Sequence, residues 1–163
     1  MAWRRQTGGG AAPWREARMR FWLVKSEPAA YSWSQLVADG RTCWDGVRNH
    51  QARNNLASMR KGDSVLFYHS NERGGREVVG IAEVVREAYQ DPTTSDPRWV
   101  VVDLVPVEPL GRPVSLDELK RDARLSDTAL VKQPRLSVMP LSPLEFEVMV
   151  EKGGGRRPPR RGR

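Results

Sequence analysis

Three consecutive strand-like runs constrain the fold of this 163-residue chain more than any other feature. Ser64–His69, Val78–Tyr89 and Arg98–Val107 are rich in β-branched and aromatic residues, which favour extended backbone. A glycine-containing loop at 71–76 and a loop at 91–97 rich in Asp and Pro separate these runs. Strands joined by short loops pair antiparallel. The sequence therefore predicts a sheet, which we expect to curl into a small barrel that protects its edges.

The rest of the chain predicts two shorter strands and four helices, which makes the fold class α+β with about five or six strands. The shorter strands are predicted at Phe21–Val24 and at Val138–Leu141. Each helix is preceded by a polar residue able to cap its first turn. The four predicted capping residues are Ser32, Asn49, Ser115 and Ser142.

The net charge of +7 resides in the two ends of the chain. Residues 1–18 hold four arginines and one glutamate, and residues 152–163 hold one lysine and five arginines, whereas 19–151 carry a net −2. We expect one folded domain at 19–152, preceded by a disordered extension at 1–18 and followed by a disordered basic tail at 153–163. If translation starts at Met19, the extension is not part of the protein. Such a tail either attracts phosphates or merely solubilises the chain, and both interpretations stay open.

Several classes of protein are disfavoured by what the sequence lacks. No run approaches the ~20 apolar residues of a membrane helix, and no apolar stretch typical of a secretory signal follows the basic N-terminus. The single cysteine, Cys43, excludes an internal disulfide, so we expect a cytoplasmic protein. Zinc-binding spacings and nucleotide-binding glycine loops are missing. His50, His69 and Ser26 have no evident catalytic partner, so we expect no cofactor, no metal and no enzymatic activity.

Two segments carry side chains suited to gripping a planar, hydrogen-bonding ligand. The segment 22–28 ends a strand in a polar turn, and the segment 44–49 combines an indole, a carboxylate, a guanidinium group and an amide. Stacking of a nucleobase on an aromatic ring contributes ~1–3 kcal/mol. Trp44 precedes an Asp-Gly turn, which we expect to hold its indole near the surface, whereas Trp33 and Trp99 are expected to fill the core.

Two arginines near the predicted second helix suggest a phosphate site. A helix that begins near Asn49 directs unpaired backbone N–H groups outward, and Arg48 and Arg53 lie on either side of this start. Arg53 is equally suited to a structural ion pair with Asp45 or Glu83, and both interpretations stay open.

Six motifs in this order resemble the EVE domain family: Trp22–Pro28, Trp44–Asn49, Gln51–Asn54, Gly62–Asp63, Phe67–Asn71 and Val79–Val84. The resemblance implies a PUA-like fold, a small mixed β-barrel decorated with short helices and similar to YTH domains. It also implies recognition of modified bases, with modified cytosine in DNA favoured. Trp44 is the implied wall of an aromatic cage, beside Lys25 and Ser26.

We therefore expect a non-enzymatic nucleic-acid-binding module that takes a modified base into an aromatic pocket. Its expected ligand-binding residues are Trp22, Lys25, Ser26, Tyr31, Trp44, Asp45 and Asn49, and its expected phosphate-binding residues are Arg48 and Arg53. The alternatives are a general RNA-binding PUA-like module without modified-base selectivity and, less favoured, an enzyme acting on a nucleobase. The identity of the base and the choice between DNA and RNA stay open.

Overall fold

The computed structural model describes residues 20–71 and 75–154, which form six strands and five helices. The elements, in chain order, are β1 Phe21–Ser26, α1 Trp33–Asp39, β2 Thr42–Cys43, α2 His50–Ser58, β3 Ser64–His69, β4 Glu77–Gln90, β5 Val100–Ser115, α3 Leu116–Lys120, α4 Ala129–Lys132, β6 Val138–Leu141 and α5 Pro143–Lys152. A single 3₁₀ turn at Ala123–Leu125 lies between α3 and α4. The α+β class predicted from the sequence is thereby confirmed.

All six strands belong to one mixed sheet with the order β2-β5-β4-β3-β1-β6. The strands β3, β4 and β5 pair antiparallel, as predicted, whereas β1 lies parallel to β3 and antiparallel to β6. The sheet is not closed by hydrogen bonds between β2 and β6 within the described residues, so it forms a small open sheet rather than a fully closed barrel.

Two features of the sheet extend the prediction. The strand β5 continues from the predicted end at Val107 to Ser115, because its last residues pair with the beginning of β4, Val114 with Val78 and Ser115 with Glu77. The two-residue strand β2 was not predicted, since its pairing with Leu104 and Asp103 of β5 is a long-range contact that a two-residue segment does not signal.

The predicted helix caps are present. The Ser32 hydroxyl accepts a hydrogen bond from Gln35 N at 3.0 Å, and Asn49 Oδ1 accepts one from Ala52 N at 2.9 Å. The α5 helix begins with a reciprocal capping box between Ser142 and Glu145. Within residues 20–71 and 75–154, no helix has the length and apolar character needed to span a membrane.

A cluster of aromatic rings joins α1 to the sheet. The Trp33 ring meets Phe67 of β3 edge-on at 5.6 Å between centroids, and it lies over Gly80 of β4. A Cβ atom at Gly80 would come within 2.6 Å of three carbons of the Trp33 ring, which explains the glycine in the middle of a long strand. Trp33 is thus a core residue, as expected.

The domain boundaries at both ends are only partly described. The expected extension at 1–18 lies outside the described residues, as does the basic tail from residue 155 onward. Gly153, which the prediction placed in the tail, is buried at the end of α5, and its carbonyl accepts a hydrogen bond from Arg112 N at 2.9 Å.

Candidate functional site

An open cleft of about 630 Å³ lies where the end of β1, the strand β2 and the start of α2 come together. We call it the Trp44 cleft. Seven of the residues expected to bind ligand or phosphate line it: Lys25, Ser26, Tyr31, Trp44, Asp45, Arg48 and Asn49. Thr42, Cys43 and Ser137 also line it and were not predicted, because they enter the cleft through β2 and the loop before β6.

Two aromatic rings at nearly right angles form one wall of the Trp44 cleft. The rings of Tyr31 and Trp44 lie 6.3 Å apart with an interplanar angle of 83°, and Trp44 meets Phe67 edge-on at 5.4 Å. Trp44 is 7% exposed, so the indole is more deeply seated than its Asp-Gly turn suggested. The reason is that its backbone N–H donates to Val102 O at 2.8 Å, which draws the residue onto the edge of the sheet.

The end of β1 supplies a second, polar wall. The Ser26 hydroxyl donates to the Tyr31 carbonyl at 2.7 Å, and this contact positions the segment that carries the Tyr31 ring. The Lys25 ammonium donates to Pro134 O at 2.9 Å. Burial lowers the pKa of Lys25, and the nearby Arg76 acts in the same direction. Both side chains therefore hold neighbouring segments in place while facing the cleft.

Asp45 and Asn49 each present at least one polar group that has no hydrogen-bond partner within the described residues. Both residues are exposed, and the Asp45 carboxylate has no hydrogen bond or ion pair within the described residues. The Asn49 side chain uses its oxygen to cap α2 at Ala52 N, which leaves its Nδ2 donor without a partner in the described part of the chain. These two residues thus offer a free carboxylate acceptor and a free amide donor to a ligand edge.

The buried Asp91, in the loop after β4, anchors the segment between Trp44 and Asn49. Its carboxylate accepts hydrogen bonds from Gly46 N at 3.0 Å, Arg48 Nη1 at 2.9 Å and Thr93 N at 2.7 Å. Burial alone would raise the pKa of Asp91, but these hydrogen bonds outweigh it and hold the pKa well below its usual range. Asp91 was not identified from the sequence as a residue that supports the site. The order Asp-Pro-Thr is a local turn signal that could have indicated a structural role for this aspartate.

Arg48 lines the cleft but is occupied by these anchoring contacts. Besides Asp91, its guanidinium donates to Val47 O at 3.0 Å and to Thr93 Oγ1 at 3.2 Å. These contacts give Arg48 a structural role at the rim of the cleft, and its expected role in holding phosphate stays a prediction.

Trp22 and Arg53 do not belong to the cleft. Trp22 is 2% exposed, and its indole N–H donates to Asp63 Oδ2 at 2.9 Å inside the core, near the start of β1, whereas the cleft lies at the end of this strand. Arg53 forms no ion pair with another described residue. Its Nε atom is buried and has no hydrogen-bond partner among the described residues. Trp22 therefore lies in the core rather than in the wall of the cleft, and the phosphate contact expected of Arg53 stays a prediction.

Trp99 is partly buried and does not belong to the core cluster in which it was expected. It is intermediate in exposure, and its ring lies 5.1 Å from the ring of His50 at an interplanar angle of 34°. The Arg48 guanidinium lies 5.7 Å from the Trp99 ring. In the described part of the chain, no group of three or more His, Cys, Asp or Glu residues is arranged to hold a metal ion.

Comparisons with known proteins agree with the resemblance seen in the motifs. Residues 20–152 match the family described as EVE domain. Thymocyte nuclear protein 1 of Rattus norvegicus is 36% identical over 164 residues, which cover 80% of this chain and 72% of that protein. A solved protein from Agrobacterium tumefaciens is 43% identical with a TM-score of 0.82, over 86% of this chain and 97% of the other.

Two further solved structures were determined with nucleic acid. The human THYN1 protein in complex with 5-methylcytosine containing DNA is 32% identical with a TM-score of 0.77, over 85% of this chain and 99% of that chain. A YTH domain from Zygosaccharomyces rouxii, solved with N6-methyladenosine RNA, shares the fold at 15% identity and a TM-score of 0.53, over 82% of this chain and 86% of the other. On the family match and the relatives above 30% identity, the chain belongs to the EVE domain family.

Proposed function

We propose that this protein binds nucleic acid and admits one modified base, with 5-methylcytosine in DNA favoured, into the Trp44 cleft. The observation that carries the proposal is the pair of aromatic rings beside the free Asp45 carboxylate and the free Nδ2 group of Asn49. The human relative solved with 5-methylcytosine containing DNA supports the choice of ligand.

The dimensions and the aromatic wall of the cleft suit a planar base. A volume of about 630 Å³ lies within the usual range of small-molecule sites. A base stacked on one of the two perpendicular rings would meet the edge of the other, the geometry that aromatic groups prefer. Extrusion of a base from a duplex costs a few kcal/mol, and stacking of ~1–3 kcal/mol offsets part of that cost.

The polar groups of the cleft match the edge of a cytosine. Its exocyclic amino group is a donor suited to the Asp45 carboxylate, and its carbonyl oxygen is an acceptor suited to the Nδ2 of Asn49. The buried Val47 also lines the cleft and supplies apolar surface of the kind that favours a 5-methyl group. We propose binding without catalysis, since the Ser26 hydroxyl donates to a backbone carbonyl rather than to a general base.

Fluorescence anisotropy on matched oligonucleotides tests this proposal. The probes are single- and double-stranded DNA of one sequence with cytosine or 5-methylcytosine at one position, and the corresponding RNA. We expect tighter binding to the methylated DNA. We expect Trp44→Ala to weaken that binding by roughly tenfold or more, with the fold checked by circular dichroism because Trp44 also packs on Phe67.

Two surface variants test the polar contacts without disturbing the core. Asp45→Asn replaces a carboxylate acceptor by an amide, and Asn49→Asp keeps the oxygen that caps α2 while removing the Nδ2 donor. Each is expected to lower the affinity for the cytosine and the 5-methylcytosine probes alike, because both bases share the edge that these groups contact. Asp117→Asn, an exposed residue outside the cleft, serves as the matched control. Equal affinity for all probes, including RNA, would contradict the proposal and favour a general RNA-binding module.

A further inference from the structure

A second cleft of about 280 Å³ adjoins the Trp44 cleft. We call it the Arg135 cleft, and its lining residues are Asn49, Gln51, Gln133, Pro134, Arg135 and Leu136. Asn49 lines both clefts, and Ser137, which follows Leu136 in the same loop, lines the Trp44 cleft. A nucleotide strand that leaves the Trp44 cleft past Asn49 therefore enters the Arg135 cleft directly.

The loop that carries Arg135 is positioned by a residue of the Trp44 cleft. Lys25 of β1 contacts this loop twice, from its ammonium group to Pro134 O and from its backbone N–H to Ser137 O, both at 2.9 Å. Leu136 is 4% exposed, and its backbone N–H donates to Gln133 O at 3.0 Å. The exposed Arg135 thus projects from a loop whose neighbouring residues are anchored on both sides.

Ion pairing and hydrogen bonding distinguish Arg135 from Lys25 and Arg48, the other cations that line the two clefts. Arg48 is paired with Asp91, and the half-buried Lys25 donates to Pro134 O. Arg135 has no ion pair within the described residues, and no carboxylate lines the Arg135 cleft. Gln51, in the first turn of α2, and Gln133 add amide donors, and the positive end of the helix dipole lies beside them. This combination suits a phosphate group.

We infer that the Arg135 cleft holds the backbone phosphate next to the base bound in the Trp44 cleft, with Arg135 as the phosphate-binding side chain. The inference rests on the proposed function, because it takes the base pocket as the starting point of the strand. It moves the phosphate contact from Arg48 and Arg53 to a residue that the sequence motifs did not indicate.

Salt-dependent binding of the full chain tests the inference. The probes are the methylated and unmethylated single-stranded DNA oligonucleotides, titrated at several salt concentrations. We expect Arg135→Ala to lower the affinity for both probes by the same factor, about fivefold at low salt, and to reduce the salt slope by roughly 0.7, the value for one phosphate contact on a single strand. We expect Arg135→Lys to retain most of the slope because it retains the charge.

Arg121→Ala is the matched control, since Arg121 is exposed and lies outside both clefts. An Arg135→Ala variant that matches this control in affinity and salt slope overturns the inference, and so does one that changes the ratio between methylated and unmethylated probes. If the wild-type protein shows no preference for the methylated probe but Arg135→Ala still lowers the slope, the base preference fails and the phosphate contact stands.

Discussion

At the N-terminus of α1, the imidazole of His69 accepts a hydrogen bond from Trp33 N through its Nε2 at 3.0 Å. A ring nitrogen that accepts a hydrogen bond is unprotonated, so the neutral form of His69 supports this helix end. Burial lowers the pKa of His69, and the nearby Glu77 opposes the shift. His69 therefore has a structural role at the start of α1.

This arrangement predicts a pH-dependent stability. The pKa of His69 is lower in the folded protein than in the unfolded chain. At a pH between these two pKa values, the unfolded chain therefore binds more protons than the folded protein. The free energy of unfolding should therefore fall as the pH drops below about 6.5, the ordinary pKa of histidine. Urea unfolding of the wild type at pH 7.5, 6.5 and 5.5 measures the effect.

Two variants identify the residue responsible. His69→Gln keeps an acceptor for Trp33 N but does not titrate, so its stability should vary less with pH than that of the wild type. His50→Gln removes the exposed histidine and should leave the pH dependence in place. If both variants behave alike, the assignment to His69 is wrong.

Among the elements, the connection between β2 and α2 depends on a loop that lies far away in the sequence. The residues after Trp44 are held by Asp91 through hydrogen bonds from Gly46 and Arg48. The wall of the Trp44 cleft is therefore built by the turn after β4 as much as by its own segment.

Asp91→Asn should loosen this wall. The amide group faces donors that require an acceptor, so we expect the free energy of unfolding to fall by about 2 kcal/mol and the preference for the methylated base to decrease. Thermal unfolding and anisotropy measure the two effects. Asp96→Asn is the matched control, because Asp96 lies in the same loop and pairs with Arg98 at the surface. An equal loss of stability and of base preference in this control would show that the loop responds to any change of charge.

For the molecule as a whole, the charge of the ends differs from that of the domain. Residues 19–151 carry a net −2, whereas the residues from 155 onward include five arginines. We expect any attraction that these arginines exert on nucleic acid to be independent of sequence and sensitive to salt, in contrast to contacts within the clefts.

A chain shortened after residue 154 separates these two contributions. Its affinity for methylated and unmethylated probes should fall by the same factor, with a shallower salt slope, while the ratio between the probes stays unchanged. Anisotropy at two salt concentrations measures this. An unaltered salt slope would show that the arginines contribute only solubility. An altered ratio of the two affinities would show that the arginines contact the bound base.

The candidate site was partly predictable because its residues cluster along the chain. Tyr31, Trp44, Asp45 and Asn49 lie within one stretch of sequence, and all four line the same cleft. Trp22 belonged to an equally suggestive motif but lies in the core, since it stands near the start of β1 and donates to Asp63, whereas Lys25 and Ser26 at the end of the strand reach the cleft. Residue type alone does not distinguish these two outcomes.

The sequence by itself determined the local structure: the positions of the long strands, the polar caps at Ser32, Asn49 and Ser142, and the class of the fold. These features depend on hydrogen bonds and side-chain patterns within a few residues of each other. Only the tertiary structure decided the parallel pairing of β1 with β3, the anchoring of Arg48 by Asp91 and the position of Arg135 beside Asn49. These contacts join segments that are distant in sequence, so only the packing of the whole sheet brings them together.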